Sequence, residues 1–184
     1  MSGVRWPTFS LERVHVREVR DDERAWLRAT IEERWGDEIA VGRGRVWTLH
    51  ELPALVAFAD SGERVGVATY VVEGVVAELV SIDALRAGEG VGRRLLDAVA
   101  ATARAAGVER LVVMTTNDNL VALRFYQRNG FRLAELRPGA VDEARATLKP
   151  SIPATGNDGI PLRDEIDLVL ELAGSREQPT ASER

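Results

Sequence analysis

The chain has no cysteine among its 184 residues, which excludes disulfides, thiolate nucleophiles and thiolate metal ligands together. Histidine is nearly as scarce. His15 and His50 are the only two and lie in unrelated segments, so a histidine-bound zinc is not expected, nor any other metal. An excess of positive charge is also missing: 24 basic residues against 29 acidic ones give a net charge of −5, which announces no polyanion-binding surface. Nucleic acid is therefore not an expected partner, although a local basic patch could still hold a phosphate. No run of about 18 apolar residues occurs, and the N-terminus lacks a charged start followed by a long apolar stretch. We expect no membrane partner and a cytoplasmic location.

What is present is a 45% hydrophobic chain, long enough for one domain with a core and too short for two comfortable ones. No internal repeat is found. The expected domain covers residues 11–173, between flexible termini at 1–10 and 174–184. Residues 11–19 alternate around Val14 and Val16 as a half-buried strand does. Carboxylates then open a helix whose stripe of Leu27, Ile31 and Trp35 reads as core. Residues 43–53 show no clear period and read as a connecting segment. Three valine-rich runs follow (54–60, 63–74 and 75–85), separated by Ser-Gly and Glu-Gly turn signals, and read as an antiparallel meander. From Val91 the period becomes helical, with Leu95, Leu96, Val99, Ala103 and Ala106 on one face and Gly107 at the C-cap. A buried strand (110–116), a helix (119–129) closed by Gly130, a strand (131–137) and a last alternating strand (165–172) complete the pattern. The proline- and glycine-punctuated excursion between the last two contains a short helix at about 142–147.

The sequence RAGEGVGRRLL (86–96) places three glycines in five positions between a strand and a helix start. Such a turn aligns unpaired backbone N–H groups with the positive end of the helix dipole and suits a phosphate. A merely tight turn is the alternative. A Walker loop is excluded by its spacing and its Lys-Ser/Thr requirement. A dinucleotide fingerprint is excluded because Arg93 stands at the third glycine position, after antiparallel-looking strands.

Here the sequence resembles the GNAT superfamily of acyl-CoA-dependent N-acyltransferases, from about Val14 to Leu172. Ala87, Gly88, Glu89, Gly90, Val91 and Gly92 match the family's [QR]-x-x-G-x-[GA] loop except at its first position. Arg86, Arg93 or Arg94 could replace the missing side-chain charge. The NLVALRFYQRNGF segment (119–131) matches the family's N-x-x-A-x-x-[LF]-Y-x-x-x-G-F pattern at Asn119, Ala122, Phe125, Tyr126, Gly130 and Phe131. The resemblance implies an α/β (α+β) fold: a central mixed, mostly antiparallel sheet of about seven strands, flanked by helices and splayed to admit acyl-CoA.

It further implies that acetyl-CoA is the acyl donor, bound by Gly88, Glu89, Gly90, Val91, Gly92 and Arg93, by the backbone of Ile82, Asp83 and Ala84, and by Asn119 and Ala122. Asn119 could equally cap its helix, and Phe125 reads as core packing. Tyr126 matches the position of the general acid, or is a buried core tyrosine. Glu78, four residues ahead of Ile82, is the candidate general base, or else a carboxylate at the strand's wet end. With 78, 80 and 82 on one face of a strand, it would sit among Val80 and Ile82, where an apolar setting raises its pKa. The expected acceptor is a primary amine of a small molecule or of a protein. The alternatives are a non-catalytic acyl-CoA-binding or regulatory module, and a phosphate-ligand binder unrelated to CoA. The insertion 148–165 reads as a wall over the site, with Lys149, Arg163, Asp164 and Glu165 placed to orient an acceptor or simply solvated. Trp47 lines that pocket or packs in the core. The oligomeric state stays open, a homodimer included.

Overall fold

The computed structural model describes residues 14–86 and 89–172. The expected domain limits at 11 and 173, the flexible termini, and Ala87 and Gly88 of the glycine loop lie outside the described residues. In chain order the elements are β1 (His15–Glu18), α1 (Arg24–Trp35), β2 (Ile39–Gly42), β3 (Arg45–Thr48), β4 (Ala54–Phe58), β5 (Arg64–Glu73), β6 (Val76–Ala84), α2 (Val91–Ala105), β7 (Arg110–Thr116), α3 (Leu120–Arg128), β8 (Arg132–Arg137), α4 (Ala140–Thr147) and β9 (Glu165–Glu171). Seven strands form one sheet in the order β1-β4-β5-β6-β7-β9-β8. Every pairing in it is antiparallel except β6 with β7, which α2 connects as a crossover must. The mixed, mostly antiparallel sheet is the expected one.

The valine-rich meander forms because apolar residues occur on both faces of β4 and β5, and each face meets a helix. On one face Leu95, Leu96, Val99 and Ala103 of α2 pack with Ala57, Ala68 and Leu79, and Ala122 and Phe125 of α3 lean on the same cluster. Burying each large side chain contributes roughly 1.5–3 kcal/mol. α2 ends where Gly107 takes a φ of 77°, and α3 opens where Asn119 accepts a hydrogen bond from the Ala122 N–H at 3.0 Å. On the opposite face Leu27 and Ile31 of α1 pack with Val56 and Val67. Trp35, expected in that stripe, is instead 44% exposed at the end of α1.

Residues 43–53 are more ordered than a connecting segment. β2 and β3 make a separate two-stranded hairpin, joined by Arg43 and Gly44 with φ of 56° and 70°. Positive φ at both turn positions matches the right-handed strand twist. Sequence reading misses it because arginine rarely takes the left-handed conformation. In β6 the register with β5 jumps: Tyr70 faces Leu79 and Thr69 faces Ser81, leaving Val80 as an extra residue. The bulge inverts the side-chain alternation. Val80 packs in the α1 layer and Ile82 in the α2 layer. The expectation that Glu78, Val80 and Ile82 share one face is therefore corrected at Ile82.

Gly66 of β5 lies where α2 begins. A Cβ there would be 2.6 Å from Val91 Cγ1, 2.8 Å from the Asp83 carbonyl oxygen and 2.9 Å from Leu95 Cδ1. Gly66→Ala should lower the denaturation midpoint by about 1–3 kcal/mol equivalent, because both backbone and packed core must give way. A midpoint equal to that of the native sequence would show that α2 can shift freely.

Candidate active site

The bulge coincides with the place where the sheet opens. β6 and β7 pair only from Val76 with Arg110 to Leu79 with Val113. Beyond this, Ile82, Asp83 and Ala84 keep their partners Ala68, Val67 and Gly66 in β5 but have none in β7. The Leu85 N–H donates to the Val65 carbonyl at 2.8 Å. By alternation, the peptide groups of Ile82 and Ala84 point away from β5, into the gap. A 2.7 Å hydrogen bond between the Thr69 and Ser81 hydroxyls ties the strands together beside the bulge.

α2 starts near one end of this gap. Its N-cap, Gly90, has a φ of 74°, no side-chain cap and no acidic residue in the first turn. The N–H groups of Gly90, Val91, Gly92 and Arg93 thus have no partner within the helix. Glu89 is exposed just before it, and a Cβ on Gly92 would touch the Phe125 ring at 3.5 Å, so α2 and α3 lie close. Of the arginines expected to supply charge, Arg93 bonds Asp97 at 2.9 Å and Asn129 at 2.6 Å, and Arg86 pairs with Glu63 and Glu89. Arg93, Arg124 and Arg128 line a groove of about 490 Å³ against Phe125.

Tyr126 is 5% exposed, with its ring 5.3 Å from Phe125 and 5.4 Å from Phe131. Burial, reinforced by the negative charge of Asp83, holds its pKa well above the usual tyrosine value. Asp83 accepts a hydrogen bond from Trp35 Nε1 and faces Arg34 Nε at 3.8 Å. The strand at the gap and the exposed tryptophan are thereby linked through one carboxylate.

A cavity of about 340 Å³ lies between the end of α1, β2, the separated ends of β6 and β7, α4 and the 148–165 segment. Trp35, Val41, Val80 and Met114 are among its walls. Lys149, Ile152, Leu162 and Glu165 supply the segment's share, as a wall would. Lys149 is already engaged by Asp37 at 3.0 Å and by the Ile39 carbonyl at 2.7 Å. Asp164 accepts from the Gly139 N–H, and Arg163 and Asp164 do not line the cavity. Trp47 packs against the α1-side core instead, with Arg45 4.1 Å above its ring.

Glu78 is 8% exposed, and burial raises its pKa against the opposing charge of Arg43 and Arg45. It does not line the apolar cavity. It lines a neighbouring polar one of about 380 Å³ with Arg43, Arg45 and Glu73. The tip of the hairpin stands between the two: Arg43 reaches Glu78 at 3.5 Å and Asp167 at 3.1 Å, and its backbone N–H donates to Glu165 at 3.0 Å. Arg137 completes the cluster, with two 2.7 Å bonds to Asp167 and one of 3.0 Å to Glu165. Three buried carboxylates therefore face two guanidiniums. Sequence reading finds Glu78 and Glu165 but misses Arg43, Arg137, Asp167 and the position of Trp35. Glu165 and Asp167 alternate with apolar residues exactly as solvent-facing positions of a strand would, so no local signal marks them as buried.

Among the described residues no group of three or more histidine, aspartate or glutamate side chains is arranged to hold a metal, and no helix is long and apolar enough to cross a membrane.

Residues 10–131 match the family model described as "Acetyltransferase (GNAT) family". The chain is 39% identical over 135 residues to the uncharacterized protein YdhI of Bacillus subtilis (strain 168), covering 73% of this chain and 83% of that one. Its fold is similar to that of a GNAT family acetyltransferase from Elizabethkingia anophelis solved with acetyl-CoA bound, with a TM-score of 0.62, 19% identity, and coverage of 86% of this chain and 97% of that one. A Bacillus subtilis acetyltransferase in complex with CoA is also similar, with a TM-score of 0.60, 22% identity, and coverage of 88% and 99%.

Proposed function

The chain belongs to the GNAT acetyltransferase family, and from that premise we propose that it is an N-acetyltransferase moving an acetyl group from acetyl-CoA directly to a primary amine. The observation that carries this reading is the opening of β6 from β7 beside the uncapped start of α2. The residues present fit the donor. An extended pantetheine arm needs backbone partners, and Ile82 and Ala84 direct theirs into the gap. A pyrophosphate needs aligned N–H donors, which the first turn of α2 provides. The groove with Arg93, Arg124 and Arg128 suits the remaining phosphate of CoA. Similar proteins solved with acetyl-CoA or CoA support the same choice.

Bound acetyl-CoA supplies a thioester carbonyl; the chain supplies the rest. The Ile82 N–H faces the gap as a donor to a carbonyl oxygen gaining negative charge. Glu78 accepts the proton that the amine loses. Because it lines the polar cavity rather than the apolar one, the transfer passes through water. Tyr126 keeps its proton through neutral pH and gives it to the departing sulfur. A carbon–nitrogen bond forms, the carbon–sulfur bond breaks, the proton gained by Glu78 returns to solvent, and Tyr126 regains one from solvent once the thiol has left.

Calorimetric titration with acetyl-CoA, followed by free-thiol release over a panel of amines, tests the reading. Tyr126→Phe should bind acetyl-CoA within about twofold of the native protein while kcat falls roughly 10²-fold. A native protein that fails to bind acetyl-CoA would refute the proposal. The contact of Arg43 with Glu78 favours one other reading, a non-catalytic acyl-CoA-binding module. That reading requires saturable binding with no thiol release from any amine.

A further inference from the structure

The cavity at the parted strands has a chemical bias that selects among amines. Its volume of about 340 Å³ lies at the small end of the range for small-molecule pockets and suits a compact acceptor. Ile39, Val41, Val80, Met114, Val141 and Ile152 give it aliphatic walls from five different segments. Trp35 and Ile39 leave apolar surface exposed at its rim, where water would ordinarily meet polar groups. Among the described residues two charged side chains reach it, and both are committed. Lys149 is held by Asp37 and the Ile39 carbonyl. Glu165 is 2% exposed and accepts from the Arg43 N–H and from Arg137. A second ammonium or a free carboxylate entering this space would lose water and gain no uncommitted ionic partner, and a hydroxyl-rich ring would meet only the hydroxyls of Thr115 and Thr116, the latter already donating to Asp118.

We infer that the acceptor is a monoamine with a compact apolar body, of the arylalkyl or branched alkyl type. Polyamines, amino sugars and free amino acids are excluded on these grounds, and a protein lysine because its flanking peptide groups would lie against the exposed apolar surface of Trp35 and Ile39. This inference rests on the acetyltransferase reading and adds the substrate class to it.

The test compares kcat/KM for thiol release from acetyl-CoA with phenethylamine, isoamylamine, putrescine, spermidine, glucosamine, phenylalanine and a lysine peptide, using the full chain. Phenethylamine or isoamylamine should exceed each of the others at least tenfold. Calorimetry of phenethylamine against the protein saturated with CoA gives a readout independent of turnover and should show saturable binding. Val41→Asp places a carboxylate on the wall and should move the phenethylamine-to-putrescine ratio at least tenfold towards putrescine. Preference for a polyamine, an amino sugar, phenylalanine or the peptide overturns the inference while leaving the acetyltransferase reading intact. Phenethylamine binding without any thiol release supports the pocket's chemistry and overturns the catalytic reading instead. Absence of binding of both phenethylamine and isoamylamine to the native protein saturated with CoA overturns the inference whether or not the variant folds.

Discussion

Arg137→Met should destabilise the protein by about 3–5 kcal/mol, the largest loss expected from any single side chain near the site. Arg137 holds Asp167 through two 2.7 Å bonds and Glu165 through one of 3.0 Å, and both carboxylates are 2% exposed. Methionine fills similar space but leaves those carboxylates with Arg43 as their nearest cation and without the solvent that could compensate. Denaturant titration at neutral pH measures the effect. The comparison is Arg45→Ala, which removes an exposed partner of Glu73 and should leave the midpoint almost unchanged because solvent screens that pair. Equal midpoints for the native protein and Arg137→Met would mean that the cluster rearranges to satisfy itself.

Glu78→Gln should lower kcat/KM by about 10²–10⁴-fold with acetyl-CoA binding retained, the range expected when a general base is removed. Burial raises the Glu78 pKa above its ordinary 4.5, so the acidic limb of the native pH–rate profile should lie above that value. The limb should vanish in Glu78→Gln. Arg43→Ala removes an opposing positive charge and should move the limb to higher pH. The stability sign separates chemistry from folding. A raised pKa means that the folded state holds the proton more tightly than the unfolded one, so Glu78 costs stability as pH rises from 4.5 through its folded value. Glutamine carries no such cost, and the variant should be no less stable than the native protein above that window. Unaltered kcat/KM in Glu78→Gln would remove Glu78 from the mechanism.

Most of the fold was legible because the core-forming segments carry clean periods. Leu95, Leu96, Val99 and Ala103 announce α2, and the asparagine-to-phenylalanine motif places α3 and Tyr126. Four features were not legible, each for a physical reason. The hairpin turn uses Arg43 where Asn-Gly would have signalled it, and the left-handed conformation is stabilised by three long-range contacts that no local pattern records. The bulge at Val80 adds one residue without changing the apolar character of β6, so alternation carries Ile82 to the wrong face. The burial of Asp167 depends on Arg137, thirty positions away in chain and adjacent only through the pairing of β8 with β9. Trp35 satisfied the helical spacing of a core residue but falls at the last turn of α1, where the helix has passed beyond the sheet it covers.

The hairpin of β2 and β3 shares no ladder with the seven-stranded sheet, and α4 with the 148–165 segment borders the same cavity from a connection between β8 and β9. Much of the wall proposed to meet the acceptor is thus built from parts that can change length or sequence without shifting the pairing of β4, β5 and β6. Substitutions that retune acceptor choice are free to accumulate there, whereas those on the opposite side must preserve a hydrogen-bond register and a helix seated within a methyl group of Gly66. The two halves of the site can therefore evolve at different rates.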